Sequence, residues 1–415
     1  VTAVFRRSFT QPEPVPEDGI ARAVALVRSG RLHRYDPSSD AESEASALER
    51  EFAARQGRRY AVACASGGYA LQLALRAAGL RPGEPVLVNA WTLAPVPGAV
   101  AAAGGVPVLV EIDDAWHVDC DDLERQARRT GARFFPISHM RGHIADMDRV
   151  TEVCRRLGLV LIEDCAHTLG ARWRDVRSGN HGAVGCFSTQ SYKHLNSGEG
   201  GLLATDDPDI AARAVPLSGS YMFWDRHGAR PADEVFERWK LDTPDMSGRM
   251  DELRAAILRT QLALVDERVQ RWSERYRILE EGLGRAPGLR TVPRRPEERF
   301  VGSSIQFHAD GIAREAIPEF VAACGRRGVR LAWFGCTAPE GFTSRWPHWR
   351  WCAGGQSAKR TEAVLATTLD MRILLAFDSD DCRLIATIVA EEAARFAVRA
   401  PADEPGYGSV RRACP

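Results

Sequence analysis

Lysine is almost missing from this chain. Of the 55 Lys and Arg residues only three are lysine, at positions 193, 240 and 359. The 55 acidic residues cancel the basic ones, so no net field draws the protein to nucleic acid or to an anionic membrane surface, and small-molecule partners are the expectation. The ten cysteines include no C-x-x-C pair and no compact framework, which argues against a zinc knuckle or a disulfide scaffold. No metal site is expected. Thiols such as Cys64, inside the apolar run 62–65, read as small core residues in a reducing compartment. No run of about 18 apolar residues occurs, and the stretch 1–7 lacks the apolar segment of a secretory signal, so a cytoplasmic location is expected.

What is there reads as an ordinary folded enzyme-sized chain. Its 415 residues, 45% hydrophobic and 27% charged, suit a large domain plus a smaller one, without internal repeats. Short apolar runs at 60–65, 86–88, 106–112, 133–137 and 159–162 alternate with helical text at 40–55, 69–78, 96–103, 120–130 and 148–157. Strand-helix units of this length predict a mainly parallel, doubly wound α/β sheet. The pattern thins after about residue 205. One long helix is expected over 249–281, closed by Gly282 and bridging to the smaller α+β domain, followed by a strand at 303–308, a helix at 314–326, a strand at 329–333 and a last helix at 380–396. The expected division is 1–265 for the N-terminal segment and large domain, 266–398 for the small domain and 399–415 for a loose tail.

Three segments carry chemistry. The run 159–162 ends in Glu163-Asp164-Cys165-Ala166-His167, which puts acids at the carboxyl end of a parallel strand, where open α/β sheets bind ligands. A buried Asp there suits a cationic ring nitrogen; capping the next loop is the plainer use. Lys193 stands in a stretch rich in hydroxyls and glycine, Ser188-Thr189-Gln190-Ser191-Tyr192-Lys193-His194. A Lys amine forms an imine with an aldehyde and passes protons, which Arg cannot do. Ser66-Gly67-Gly68 joins a strand to a helix, a junction whose backbone N–H groups and dipole suit a phosphate, and Ser188 is placed to add a hydroxyl.

In this order the segments resemble the fold-type-I pyridoxal-phosphate aminotransferases, specifically the DegT/StrS family of sugar aminotransferases. The likeness covers roughly 29–269. Its most specific part is Ser138-His139-Met140-Arg141-Gly142 with Asp146-Met147-Asp148, followed by Glu163-Asp164-Cys165-Ala166-His167, matching the family's His-Leu-x-Gly, Asp-Met-Asp and Glu-Asp-x-Ala-Gln/His signatures. The resemblance implies pyridoxal 5'-phosphate as cofactor, Lys193 as the residue bonded to it, Asp164 as partner of its ring nitrogen, and His167 beside its ring. Gly67, Gly68 and Ser188 would hold the phosphate. His139 and His143 would shape the adjoining loop.

The chain also departs from the family pattern. Gly68 replaces a Thr, and Tyr69 follows in place of a small residue. The family's ring-stacking aromatic aligns with Leu93, while Trp91 is the nearest aromatic and the candidate for that face. Ser247 falls where the family has an Asn that reaches the neighbouring subunit's phosphate, in a homodimer with sites at the interface. One family branch replaces the lysine with histidine and dehydrates sugars; Lys193 favours transamination. The implied reaction moves nitrogen from glutamate or glutamine to a keto-sugar, cyclitol or polyol-like ketone in a biosynthetic, secondary-metabolite pathway. Dehydration, decarboxylation or carbon-carbon chemistry on the same cofactor, and a noncatalytic regulator, are the alternatives. The aromatic segment 217–224 and the Trp333, Trp346, Trp349 and Trp351 group are candidates either for an acceptor pocket or for packing.

Overall fold

A computed structural model describes residues 3–36, 43–352 and 354–398. The expected tail at 399–415, and the first residues of the expected 40–55 helix, lie outside this set. The main sheet has seven strands: β1 (Tyr60–Cys64), β2 (Pro85–Asn89), β3 (Val106–Val110), β4 (Phe134–Ser138), β5 (Val160–Asp164), β8 (Val184–Ser188) and β9 (Gly201–Thr205), with the hairpin β6 (Arg172–Trp173) and β7 (Val176–Arg177) between β5 and β8. The spatial order is β1-β9-β8-β5-β4-β2-β3. Pairing is parallel from β8 through β5, β4 and β2 to β3, and antiparallel where β9 meets β8 and β1. Only β9 therefore runs against the rest. The predicted doubly wound α/β sheet is present.

Local chemistry explains the alternation. Asp119 accepts the Asp121 and Asp122 amides at the start of helix Cys120–Thr130, and Asp146 accepts the Arg149 amide at the start of helix Met147–Leu157. The strands β1, β4 and β9 are buried along their whole length, because helices cover both faces. On one face Val62, Val86, Ile162, Val184 and Leu203 pack under helices Gly67–Ala77, Pro95–Ala102 and Pro208–Ser218. On the other, Leu87, Val108, Phe135 and Ile137 share a core with the C-terminal part.

That part is built on a four-stranded antiparallel sheet. Its strands are β10 (Arg290–Thr291), β12 (Ser304–His308), β13 (Ala332–Trp333) and β14 (Thr368–Arg372), in the order β10-β12-β14-β13; β11 (Glu298–Arg299) instead joins the β6-β7 hairpin. Helices Val265–Gly284 and Ser379–Phe396 pack on one another beside it.

Several expectations are corrected. The single helix at 249–281 is two, Glu252–Leu262 and Val265–Gly284, and the second runs through Gly282 instead of stopping there. No Gly or Pro marks the break. It falls beside Gln261, whose side chain is bonded to both the amide and the carbonyl of Asn196, so a tertiary contact sits where the ladder is interrupted. The strand expected at 329–333 is only Ala332–Trp333, and the helix expected at 314–326 opens with the 3-10 turn Arg314–Ala316.

Candidate active site

The carboxyl edge of the main sheet gathers the chemistry. Register pairs Ser138 with Asp164 across β4 and β5, and Ser188 with Gly201 across β8 and β9. Gly201 also pairs with Cys64 at the end of β1, which brings the β1–helix junction alongside. A Cβ on Gly201 would sit 2.2 Å from the Ser66 carbonyl oxygen, so only glycine lets β9 pass this junction. Ser66 caps helix Gly67–Ala77 by accepting the Tyr69 amide at 3.1 Å. A Cβ on Gly67 would lie 2.7 Å from Cβ of Ser188, so helix start and strand end are in close contact. The nearest atom to a Cβ on Gly68 is 3.6 Å away, an ordinary contact. Free N–H groups at a helix start, beside a serine hydroxyl, form an anion cradle.

Lys193 lies in the β8–β9 connection, its amide bonded to the Gln190 carbonyl. Its Nζ is 2.7 Å from His167 Nε2. Burial, and then the Arg141 guanidinium, push the Lys193 amine down to about 7, against the opposing pull of Asp164 and with further help from Arg372. Burial and the neighbouring Lys193 and Arg141 hold His167 well below its usual range, which keeps it neutral and able to accept from the amine. Asp164 accepts the Ser138 hydroxyl at 2.9 Å and the Ala166 amide at 3.1 Å.

Strand alternation separates the two acids of the motif. Glu163 is fully buried on the opposite face, where it accepts the amides of Gly179, His181 and Gly182 and meets His139 Nε2 at 3.1 Å. Its role is to tie down the 179–182 loop. Among the described residues His139, Glu163 and Cys165 form a cluster of metal-ligand type. The carboxylate is consumed by backbone donors and burial pushes the Cys165 thiol well above its ordinary range, so the cluster is structural. His143 bonds Gln306 at 2.7 Å and likewise shapes the loop.

Trp91, the candidate for the ring-stacking face, stands two residues beyond β2. It is 1% exposed and packed with Trp116, His143 and Phe334. Beyond Asn89 the chain leaves the sheet, so the period of two that put Trp91 and Leu93 on one face no longer holds. Ser247 is exposed. Tyr69, the unexpected neighbour of the glycines, packs its ring where a Cβ on Gly248 would be, 2.1 Å away, and bonds the Leu217 carbonyl at 2.8 Å. It thereby supports the loop that presents Ser247. The tryptophan group divides. Trp333 lines a cleft beside Tyr192 and Arg372, whereas Trp349 is buried in stacked contact with the half-exposed Trp351. Tyr221, Met222 and Phe223 are exposed, so they are not core.

Sequence reasoning quoted Ser138 and Arg141 within a motif without giving either a role, and it missed Arg372. Ser138 was legible as the last residue of a strand adjacent to β5. Nothing local marked Arg372, which arrives from the second sheet.

A lysine whose amine is near neutrality, a carboxylate at a parallel strand end and an anion cradle together define an aldehyde- and phosphate-handling site of the aminotransferase kind. The family model described as the DegT/DnrJ/EryC1/StrS aminotransferase family matches residues 24–331, and the chain belongs to that family. It is 33% identical over 313 residues, 74% of this chain and 76% of the other, to 3-amino-5-hydroxybenzoate synthase of Amycolatopsis mediterranei. It is 32% identical over 324 residues, 75% and 74% of the two chains, to L-glutamine:2-deoxy-scyllo-inosose aminotransferase of Micromonospora echinospora. Among solved structures, 3-amino-5-hydroxybenzoic acid synthase superposes with a TM-score of 0.80 at 25% identity, over 95% of this chain and 100% of its own. DesV of S. venezuelae, solved with a ketimine intermediate, gives 0.75 at 28% identity, over 90% and 94%.

Proposed function

We propose that this aminotransferase moves an amino group from glutamate or glutamine to a keto-sugar, a cyclitol or a related polyol-like ketone in a biosynthetic, secondary-metabolite pathway. Relatives that act by name on scyllo-inosose ketones with glutamine support both halves of this reading. The observation that carries it is the Lys193 amine, held near neutrality against a neutral His167 and close to the Asp164 carboxylate.

The family's cofactor is pyridoxal 5'-phosphate, and the residues present fit it. The Gly67–Ser188 approach leaves no room for a side chain where the phosphate would be cradled. Asp164 is an anion kept in place by Ser138, suited to a cationic ring nitrogen. Gly67, Gly68 and Ser188 would hold the phosphate, Asp164 the ring nitrogen, and His167 the flank of the ring. When bound, the cofactor supplies an electron sink for charge that develops at the donor's α-carbon. Lys193 contributes an amine lowered to about 7, so that close to half of it is uncharged at neutral pH, ready to bond an aldehyde carbon and afterwards to take up and return a proton. Asp164, through its negative charge, would hold a proton on the ring nitrogen. His167 accepts from Nζ and fixes the direction in which the amine points.

A homodimer is part of the proposal. The exposed apolar residues Tyr221, Met222 and Phe223, with Ser247 exposed on the neighbouring loop, are the surface expected to meet a second copy. Absorbance of the protein with pyridoxal 5'-phosphate, before and after glutamate or glutamine, tests the function. A near-visible band that one donor bleaches, and that Lys193→Ala lacks, is the expected result; a band unmoved by either donor sinks amino transfer.

A further inference from the structure

Trp333, the tryptophan that faces a cleft, has no part in the chemistry proposed above. It stands on β13, the edge strand of the four-stranded sheet, and its indole is fixed along one side. Nε1 donates to the Ala366 carbonyl at 2.9 Å, and a Cβ on Gly335 would sit 2.5 Å from that nitrogen, so only glycine lets the backbone pass here. The cleft measures about 790 Å³. Leu331, Phe342 and, from helix Ile317–Arg326, Pro318 and Ala322 extend its apolar wall. Pro318 and Ala322 are exposed, so the protein itself leaves this part of the wall uncovered. The Phe342 ring is backed by the Arg141 guanidinium, 4.2 Å from its centre.

The cleft adjoins the proposed reaction site. Tyr192 and Arg372 wall both it and the smaller cavity that Lys193 lines, and the Arg372 guanidinium is stacked 3.7 Å from the Tyr192 ring centre. Charge in the lining balances, with Arg330 and Arg372 against Glu340 and Asp370. The Asp370 carboxylate is already committed to Arg141 and to the Gln306 amide, at 3.1 and 2.6 Å. No surplus positive field is therefore offered to a diphosphate. Capacity is the second constraint. Sites for drug-sized ligands measure roughly 300–1,000 Å³, and a lone polyol ring in a cleft of this size would leave the aromatic walls wet.

We propose that this cleft is the subsite for an uncharged, flat apolar group carried by the acceptor, with Trp333 and Phe342 as its stacking walls. The acceptor is then a polyol-like ketone joined to an aryl or similarly planar apolar group. This deepens the amino-transfer reading and rests on it: the ketone end reaches Lys193 past Tyr192 and Arg372, while the apolar end is held at Trp333. Burial and stacking supply the affinity. Selection against an unsubstituted cyclitol follows from walls that a single polyol ring does not fill.

Calorimetric titration of the full chain loaded with pyridoxal 5'-phosphate tests the subsite. Naphthyl β-glucoside, methyl β-glucoside and uridine diphosphate glucose serve as non-reacting probes. The naphthyl glucoside is expected to bind about tenfold or more tightly than the methyl one, the scale of burying an aromatic group against other rings. Trp333→Ala should weaken the naphthyl glucoside by about tenfold. Ala322→Glu, at an exposed helix position where the fold tolerates a charge, should weaken it as well by placing a carboxylate on the apolar wall. Thermal melting checks that each variant is folded. Naphthyl and methyl glucosides within about twofold of one another overturn the proposal, as does naphthyl binding within about twofold of the parent in folded Trp333→Ala or Ala322→Glu. Tighter binding of uridine diphosphate glucose than of the naphthyl glucoside overturns it in favour of a nucleotide. If the naphthyl glucoside behaves as expected and neither glutamate nor glutamine bleaches the cofactor band, amino transfer fails and the subsite stands. If a donor bleaches the band and the two glucosides do not differ, the subsite fails alone.

Discussion

Two ionic clusters of the protein, one at Glu49 and one at Lys193, are built to opposite ends. In the first, Arg34 is paired with both oxygens of Glu49 at 3.0 and 3.1 Å, and Glu49 also accepts from His227 and the amides of Ala63 and Gly228. Tyr35 bonds the far side of His227. Burial is the largest single influence and raises the Glu49 carboxyl, but the charges and hydrogen bonds of Arg34 and His227 together outweigh it and bring the group down to about 2. The second cluster, around Lys193, has the reverse balance. Its amine meets a neutral His167 and feels two guanidinium groups, while Asp164 opposes them only in part. Satisfied charge makes the first a fastener that ties the N-terminal segment to β1 and the 227–228 loop. Unsatisfied charge leaves the second suited to the reactive role proposed for it.

Substitutions that remove one member from each cluster separate these roles. Lys193→Ala should lower amino transfer by at least about a thousandfold, because the variant lacks both the bonding amine and the proton carrier, each a large contribution. Its melting temperature should stay within a few degrees of the parent, or rise, since a desolvated amine is removed; a collapse of the fold would mean that Lys193 is structural. Glu49→Gln should have the opposite signature. It leaves Arg34 buried without a counter-charge and should cost about 3–5 kcal/mol in denaturant unfolding, with activity per folded molecule retained.

The pH response sharpens the same contrast. An ordinary lysine titrates near 10.5 and Lys193 near 7, so the unfolded chain holds this proton over the interval in which the folded one has lost it. Through this group, stability of the cofactor-free protein rises with pH between about 7 and 10.5 and loses that increment below 7. Trapping with pyridoxal and borohydride should therefore label Lys193 with a midpoint near pH 7. A midpoint near 10 would remove the distinction between the clusters.

The smallest effects concern the cradle. Gly67→Ala drives a methyl into Ser188 and should cost about 1–3 kcal/mol of stability, with weaker affinity for pyridoxal 5'-phosphate. Gly68→Ala meets only an ordinary contact and should stay within about 0.5 kcal/mol. Equal losses at both positions would show that the close approach to Ser188 is not what Gly67 provides.

Local signals made the first half of the main sheet readable. Capping aspartates, glycines after helices and uniform apolar runs act over a few residues, so β1 to β5 and their helices were found within a residue or two of their positions. The strands β8, β9 and β14 were not. β8 and β9 contain glycine and are buried on both faces, which removes the alternation that marks a half-exposed strand, and β14 mixes Asp370 and Arg372 into an apolar run.

The chemistry followed the same division. Lys193, Asp164, Ser188 and Gly67 could be proposed from sequence because each sits in a short segment whose composition suits such a task, and His167 because the family resemblance points to it. Trp91 could be read only as a candidate, because its side chain's direction depends on a turn after β2, which the strand period does not describe. Arg141 and Arg372 come from a loop and from a second sheet, 231 positions apart in the chain. By itself the sequence determined the alternation of elements and marked the lysine and the acid proposed to act together, since these depend on neighbours along the backbone. Only tertiary structure decided the single reversed strand, the break after Leu262, the separate fates of Glu163 and Asp164, and the two arginines beside the amine, because charge and packing act through space without regard to chain distance.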